Sequence, residues 1–288
     1  MSNVSRHLQG ESWRLPGLGA PLVTVEQLIV LAIVQGITEF LPISSSGHLI
    51  LVPYFTGEAD QGLMIDVALH VGTLGAVMLY LWRDIVRMLV GLGRALRGRG
   101  DPGGRLALQL VVATLPLVAA GYAASRYLGD TLRSVEVIAW ATLGFGILLW
   151  LVDRAGMTVR RIEHMSYAGA LFIGCSQVLA LIPGTSRSGI TMTAARLLGF
   201  ERSETARFSM LLSIPAIVAS GTLQGIKLYQ TGNAQLTVDA FIAAGLALAA
   251  ALVAIAAMMG WLRRASFLPF VLYRIALGGG LLIWVYFG

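Results

Sequence analysis

Gln35–Leu49 reads QGITEFLPISSSGHL, and short apolar runs flank it on both sides within Val25–Phe55. Polar residues therefore occupy the centre of a hydrophobic segment, where a membrane-crossing helix is normally most apolar. A second stretch has the same plan: Tyr167–Phe200 is centred on QVLALIPGTSRSGIT, Gln177–Thr191. Sliding one on the other by 142 residues without a gap aligns Gln35 with Gln177, Ser44 with Ser186, Ser46 with Ser188 and Gly47 with Gly189. In each, a short apolar run leads to a proline (Pro42, Pro183), then a Ser/Gly cluster, then another short apolar run. Each apolar half is about 10–14 residues, too short for a hydrocarbon core that needs about 20. The pattern predicts two pairs of half-helices, each entering the membrane and returning. Broken backbone at membrane depth is tolerated only where it is buried in protein or lines a wet cavity. The two clusters are thus expected to meet in a polar pocket.

The surrounding chain supports a membrane setting. Its 288 residues are 56% hydrophobic and only 12% charged, with a mean hydropathy of +0.76. An ordinary soluble domain carries about 25% charged residues. A disordered chain is excluded, because disorder needs low hydrophobicity and high charge. The single cysteine, Cys175, excludes an intramolecular disulfide and a cysteine-only metal cluster. The net charge of +6 is explained by basic membrane-flanking loops, so no nucleic-acid partner is expected.

Six further segments are predicted to span: 66–82, 106–126, 135–152, 208–229, 238–261 and 268–287. Thirteen arginines (Arg83, Arg87, Arg94, Arg97, Arg99, Arg105, Arg154, Arg160, Arg161, Arg202, Arg207, Arg263 and Arg264) fall in loops assigned to one side. The other side holds five basic residues, Arg6, Arg14, Arg126, Arg133 and Lys227. The positive-inside bias places the first set in the cytoplasm and both termini outside. Three spans separate the two broken stretches, so the second is expected to enter from the opposite face. The fold class is then an all-α integral membrane protein: six transmembrane helices plus two re-entrant helix pairs in an inverted-topology repeat. Residues 1–22 form a polar tail, without the basic–apolar–small order of a signal peptide, before a single polytopic domain over 23–288. The repeat halves run roughly over 23–152 and 153–288.

The clustered residues suit phosphate chemistry. The second half-helix of each pair is predicted to start in its Ser/Gly cluster, so free N–H groups and the positive dipole end point into the pocket. Serine hydroxyls add donors, and glycines allow close approach. Arg187 supplies a charged planar fork and, inside an apolar stretch, demands a partner: substrate phosphate or Glu39. Glu39 lies four residues after Gln35, on one helix face, and its carboxylate suits Mg²⁺ or Ca²⁺, with Gln35 offering a neutral carbonyl oxygen. His48 follows Ser45 by three residues and Ser44 by four, within reach of either hydroxyl if these begin a helix. That allows a serine nucleophile with a histidine base, or histidine as nucleophile or proton donor. His70 has no such polar company and reads as a packing or span-end histidine. Arg274, after Tyr273 in the last span, reads as snorkelling or as paired inside the bundle. No dinucleotide, P-loop, CxxC or HExxH pattern occurs. A pocket at membrane depth that binds phosphate suits a lipid phosphate.

QGITEFLPISSSGHL (35–49) and PGTSRSGIT (183–191) resemble the two signatures of the undecaprenyl-pyrophosphate phosphatases, the bacitracin-resistance family. The likeness covers about residues 24–288, including RRASFLPFVLYR (263–274). The resemblance implies hydrolysis of C55 polyprenyl diphosphate to its monophosphate and inorganic phosphate, recycling the carrier lipid for peptidoglycan and conferring bacitracin resistance. It implies a bacterial plasma (inner) membrane location with the site opening to the periplasmic face. Glu39 is then the essential acid on a divalent cation, Arg187 binds the diphosphate, and Ser45 or His48 is the nucleophile. Gln35, Ser44, Ser46, Gly47, Gly184, Ser186, Ser188, Gly189 and Thr191 are implied to line the substrate. Gln35 stands where many members carry glutamate. The expected partners are a polyprenyl diphosphate, membrane lipids and a second copy in a homodimer. The alternative reading is a polyprenyl-phosphate transporter or flippase, which the inverted repeat also suits.

Overall fold

The computed structural model describes residues 24–127, 132, 134–156, 159–231 and 234–288, with side chains described except at 63, 125, 127 and 219–236. The 1–22 tail with Arg6 and Arg14, Arg133, and the Lys227 side chain lie outside what is described. Eleven α-helices follow in order among the described residues: α1 (Val25–Thr38), α2 (Ser45–Thr56), α3 (Gly62–Tyr80), α4 (Trp82–Ala95), α5 (Pro102–Tyr127), α6 (Val135–Ala155), α7 (Tyr167–Gln177), α8 (Arg187–Leu197), α9 (Arg202–Thr231), α10 (Ala234–Leu262) and α11 (Leu268–Phe287). A 3₁₀ turn, Val178–Leu181, extends α7.

Among the described residues four helices are long and apolar enough to cross a membrane: Pro102–Ala124 of α5, all of α6, Thr237–Leu262 of α10, and α11. The pair α3–α4 adds a fifth if taken together, although it bends by 81°. Large apolar side chains point outward along these helices, Phe241 at 75% and Val253 at 72% exposure among them. An aqueous surface would not be built that way, and the fold is that of an all-helical multi-pass membrane protein. Of the six predicted spans, 208–229 falls within α9, a continuous helix of 30 residues whose side chains are described only to Val218. The 66–82 span is corrected at its end. The chain turns at Leu81, and the arginine-rich segment beyond, predicted as loop, begins with helix α4 because its apolar residues recur at helical spacing.

The broken segments are short helices, α1 and α2 of 14 and 12 residues and α7 and α8 of 11 each. They start and finish at opposite ends of the bundle. The Gln27 side chain at the head of α1 donates to the carbonyl of Ala59 just past α2 (2.8 Å). Phe55, near the end of α2, packs edge-on against Trp284 of α11. In contrast, Met165, just before α7, accepts from Arg105 and Gln109 of α5 (3.2 and 2.7 Å). Helix α1 lies on α10 and α7 on α5, α3 packs mainly on α10 and also on α9, and α6 packs on α11.

At the end where α7 and α8 begin and finish, buried Asp153 joins three elements. Its Oδ1 accepts from Arg196 Nε of α8 (3.1 Å) and Arg202 Nε of α9 (2.7 Å), and its Oδ2 from the backbone N–H of Phe267 before α11 (3.3 Å). Arg207 pairs with Asp84 close by, tying α9 to α4. Asp153→Ala would leave the fully buried Arg196 without its carboxylate. We expect it to cost about 3–5 kcal/mol, read as a clear drop in apparent Tm in detergent; an unchanged Tm would show that this hub is not structural.

Candidate active site

Both Ser/Gly clusters fold alike. Ser44 and Ser186 take positive φ (79° and 71°), the only described non-glycine residues to do so. Each caps the half-helix that follows, accepting at Oγ from the N–H of the glycine three residues on: Gly47 at 3.4 Å and Gly189 at 3.1 Å. Backbone in so sparsely populated a region costs a non-glycine residue about 1–3 kcal/mol. That the same strain occurs at both repeat-related serines makes it a feature of the design, not an accident of one loop. Ser44 and Ser186 also touch Ser46 and Ser188 through their hydroxyls (3.5 and 3.1 Å). Gly184 (φ +93°) makes the turn before α8, where a Cβ would lie 2.5 Å from the carbonyl oxygen of Ile138.

The two broken segments meet at Glu39, which caps α1 and is buried. Its Oε1 accepts from Arg187 Nη2 at 2.6 Å, across 148 residues of sequence. Its Oε2 accepts from Ser45 Oγ at 2.6 Å and from Gln35 Nε2 at 3.0 Å. Ser188 Oγ donates to the carbonyl of Leu41 at 2.8 Å, a second link between the hairpins. Carboxylate, hydroxyl and guanidinium thus form one cluster, with Ser45 and Arg187 partly accessible. A serine hydroxyl directed at a carboxylate is placed for deprotonation, and the neighbouring guanidinium is placed to bind a phosphoryl oxygen.

His48 is arranged otherwise. Residues 45 onward do start a helix, but the ring reaches neither serine hydroxyl. Its Nδ1 lies 2.6 Å from the carbonyl oxygen of Ser44, so Nδ1 carries the proton. Its Nε2 lies 2.5 Å from Tyr273 Oη, with the two rings stacked. A base role for His48 on Ser44 or Ser45 has no contact behind it here. Thr191 donates within α8 and pairs with Ser209 of α9 at 2.7 Å, buried away from Glu39's oxygens. The backbones of Gly184 and Gly189 are approached closely by Ile138 and Arg274 respectively.

Three neighbours escaped the sequence reading. His70 of α3 is not merely a packing residue: its Nε2 stands 3.5 Å from Glu39 Oε2, and its Nδ1 is held by the Asp66 carbonyl at 2.6 Å. Nothing in the local sequence marks it, because its company comes from α1. Tyr273 is the second. Arg274 is the third, missed only as part of the site: of its two readings it does not snorkel but is bonded inside the bundle. It is fully buried and donates to five backbone carbonyls, those of Pro42, Ala141, Thr142, Gly184 and Thr185. Two of these lie in the second broken loop and one in the first, so one guanidinium braces both. The one clue was an arginine within an apolar span, which must find partners.

The fit to a divalent cation can be tested on the donors. Among the described residues no three His, Cys, Asp or Glu side chains converge. Glu39 is the one carboxylate present, and Gln35 Oε1 is buried without a partner. One carboxylate and one free amide oxygen suit Mg²⁺ or Ca²⁺ if phosphate oxygens and water complete the shell.

An all-helical membrane bundle thus joins a buried carboxylate to a serine and an arginine at two facing helix breaks. The family model for bacitracin resistance protein BacA matches residues 28–280. An undecaprenyl-diphosphatase of Ruegeria pomeroyi is 57% identical over 87% of this chain and 95% of its own. Undecaprenyl-diphosphatase 1 of Rhodospirillum rubrum is 52% identical over 91% of this chain and 95% of its own. The chain belongs to the bacitracin resistance protein BacA family.

Arg274→Met should loosen both loops. We expect a stability loss of about 3 kcal/mol or more from the orphaned carbonyls, seen as a lowered apparent Tm in detergent, whereas a wild-type Tm would refute the bracing role.

Proposed function

We propose that this protein hydrolyses undecaprenyl diphosphate to undecaprenyl phosphate and inorganic phosphate, recycling the carrier lipid. The observation that carries this reading is the Ser45–Glu39–Arg187 contact at the meeting of the two broken helices. In this mechanism the terminal phosphate sits on Arg187 and the N-terminal N–H groups of α2 and α8. Glu39 takes the Ser45 proton as Oγ attacks the terminal phosphorus, and the bridging P–O bond breaks to release undecaprenyl phosphate. Glu39 passes that proton to the departing undecaprenyl phosphate; water then attacks the phosphoserine, Glu39 takes the water proton and returns it to Ser45 Oγ as the Oγ–P bond breaks and inorganic phosphate leaves. Glu39 and Gln35 would hold Mg²⁺ or Ca²⁺, which supplies charge neutralisation on the diphosphate. His48 positions the Ser44 turn, and Ser44, Ser46, Ser186 and Ser188 shape the phosphate cradle. The relatives' names and a hydroxyl aimed at a carboxylate favour hydrolysis over transport of the lipid.

In this reading α3, α5, α6, α9, α10 and α11 span the plasma membrane, and α1–α2 and α7–α8 are the re-entrant pairs of an inverted repeat. Their starts and finishes at opposite bundle ends support it. The arginines near α4, Asp153 and Arg207 lie at one end, taken as cytoplasmic by the positive-inside rule, so α1–α2 opens to the periplasmic face.

Purified protein in detergent, given C55 diphosphate and Mg²⁺ or Ca²⁺, should release inorganic phosphate, and EDTA should stop it. Ser45→Ala and Glu39→Gln should each lower kcat by about 10²–10⁴-fold, while His48→Ala, if it folds, keeps measurable turnover. Near-wild-type turnover in Ser45→Ala would remove serine from the nucleophile's role. Arg187→Lys should raise KM and lower kcat, a lone ammonium being unable to make the bidentate contact.

A further inference from the structure

Helix α4 leaves α3 at 81°. If α3 crosses the membrane, α4 runs along its surface, and the role of α4 as a lipid-facing helix rests on that membrane reading. The helix has three faces. Met88 and Gly91 are buried against the bundle, with α5 as the main neighbour. Trp82, Val86, Leu89 and Val90 form an exposed apolar stripe, at 48–64% exposure. Arg83, Arg87 and Arg94 follow in sequence at positions that share the next helical sector. An apolar stripe bordered by an arginine row is how a helix lies in the interface, the stripe among acyl chains and the cations at phosphate level.

Beside this row is a cleft of about 950 Å³ between α4, α5 and the start of α7, with Val86, Arg87, Val90, Arg94, Arg105 and Tyr167 among its walls. Arg94 is engaged by Asp101 (3.0 Å), and Arg105 donates to the Met165 carbonyl and lies over the Tyr167 ring. Arg87 faces the cleft with no carboxylate partner among the described residues, and Arg83, over the Trp82 ring, has none either. Residues 82–105 hold six arginines against two aspartates. Those aspartates, Asp84 and Asp101, are already paired. Glu163 is the third carboxylate of the cleft, so Arg87, Arg94, Arg105 and Arg207 face three acids there, two of them already paired; the cleft keeps a net positive charge, is otherwise mainly apolar, and is open on one side. It is also remote from catalysis: His70 is ten residues before the end of α3, about 15 Å along its axis.

We propose that this cleft and the arginine row at its edge bind an anionic phospholipid, the phosphate diester resting on Arg87 in the cleft with Arg83 one turn earlier at its rim, and the acyl chains running from Val86 and Val90 out along the exposed Trp82–Leu89 stripe. A zwitterionic lipid fits worse, because its ammonium group would face the arginine row. Its source is the bilayer itself, so the ligand is a resident lipid and not the lipid being hydrolysed.

The test is native mass spectrometry of the full chain in detergent with equal phosphatidylglycerol and phosphatidylcholine added. Wild type should retain phosphatidylglycerol in preference, by about fivefold for each arginine engaged. The double variant Arg83→Gln, Arg87→Gln should lose that preference while its C55-diphosphate turnover in lipid-free detergent stays at the wild-type value, which shows the variant is folded. Equal retention of both lipids by wild type, or an undiminished preference in the variant, overturns the site while leaving the membrane fold and phosphatase reading intact. Recovery of the chain in the soluble fraction without detergent would overturn the membrane reading as well.

Discussion

Glu39 against Arg187, 2.6 Å apart with the carboxylate buried, is the contact on which the rest of the structure depends. An ion pair in an apolar bundle holds only if its desolvation is offset by close geometry and further hydrogen bonds. Here Ser45 and Gln35 supply those bonds to the carboxylate. To bring the charges together, two helical segments break where they meet. The freed backbone must then be satisfied by something other than water. Ser44 and Ser186 do this at the helix starts, and Arg274 does it for the carbonyls behind them.

The site is symmetrical in backbone and asymmetrical in chemistry. The 142-residue offset superposes the strained serines and their glycine partners, but it sets Leu181 opposite Glu39, Arg187 opposite Ser45 and Ile190 opposite His48. One hairpin carries the acid and the hydroxyl, and the other carries the cation. Two copies of either would place like charges together or leave none. A pair of glutamines survives in both halves. Gln35 and Gln177 are fully buried, each with an amide oxygen that has no partner. In the first half that oxygen lies beside the acid.

Much of this was legible along the chain. Polar residues in a hydrophobic run, repeated at a fixed offset, point to broken helices, because no other arrangement suits hydrocarbon. The i, i+4 pairing of Gln35 with Glu39, the helix starts in the Ser/Gly clusters and Arg187's need of a partner follow from helix geometry and the cost of lone charge; which of phosphate or Glu39 that partner is was decided by the fold. The places where reading failed share one cause. His48 was within reach of serine by spacing, yet a ring nitrogen prefers the nearer backbone carbonyl, and Tyr273 arrives from 225 residues away. His70 lacked polar neighbours in sequence and gained Glu39 in space.

The sequence by itself therefore determined the membrane setting, the two breaks, the likeness of their plans and the residue types able to bind phosphate. Those rest on composition and local periodicity, which act within a few turns of helix. Only the tertiary structure decided which groups touch: that Ser45 and not His48 faces the carboxylate, that Arg274 braces both loops, and that α4 bends away beneath its arginines. Such contacts join segments up to 232 residues apart, and hydrogen-bond direction and burial are set by packing that no local pattern encodes.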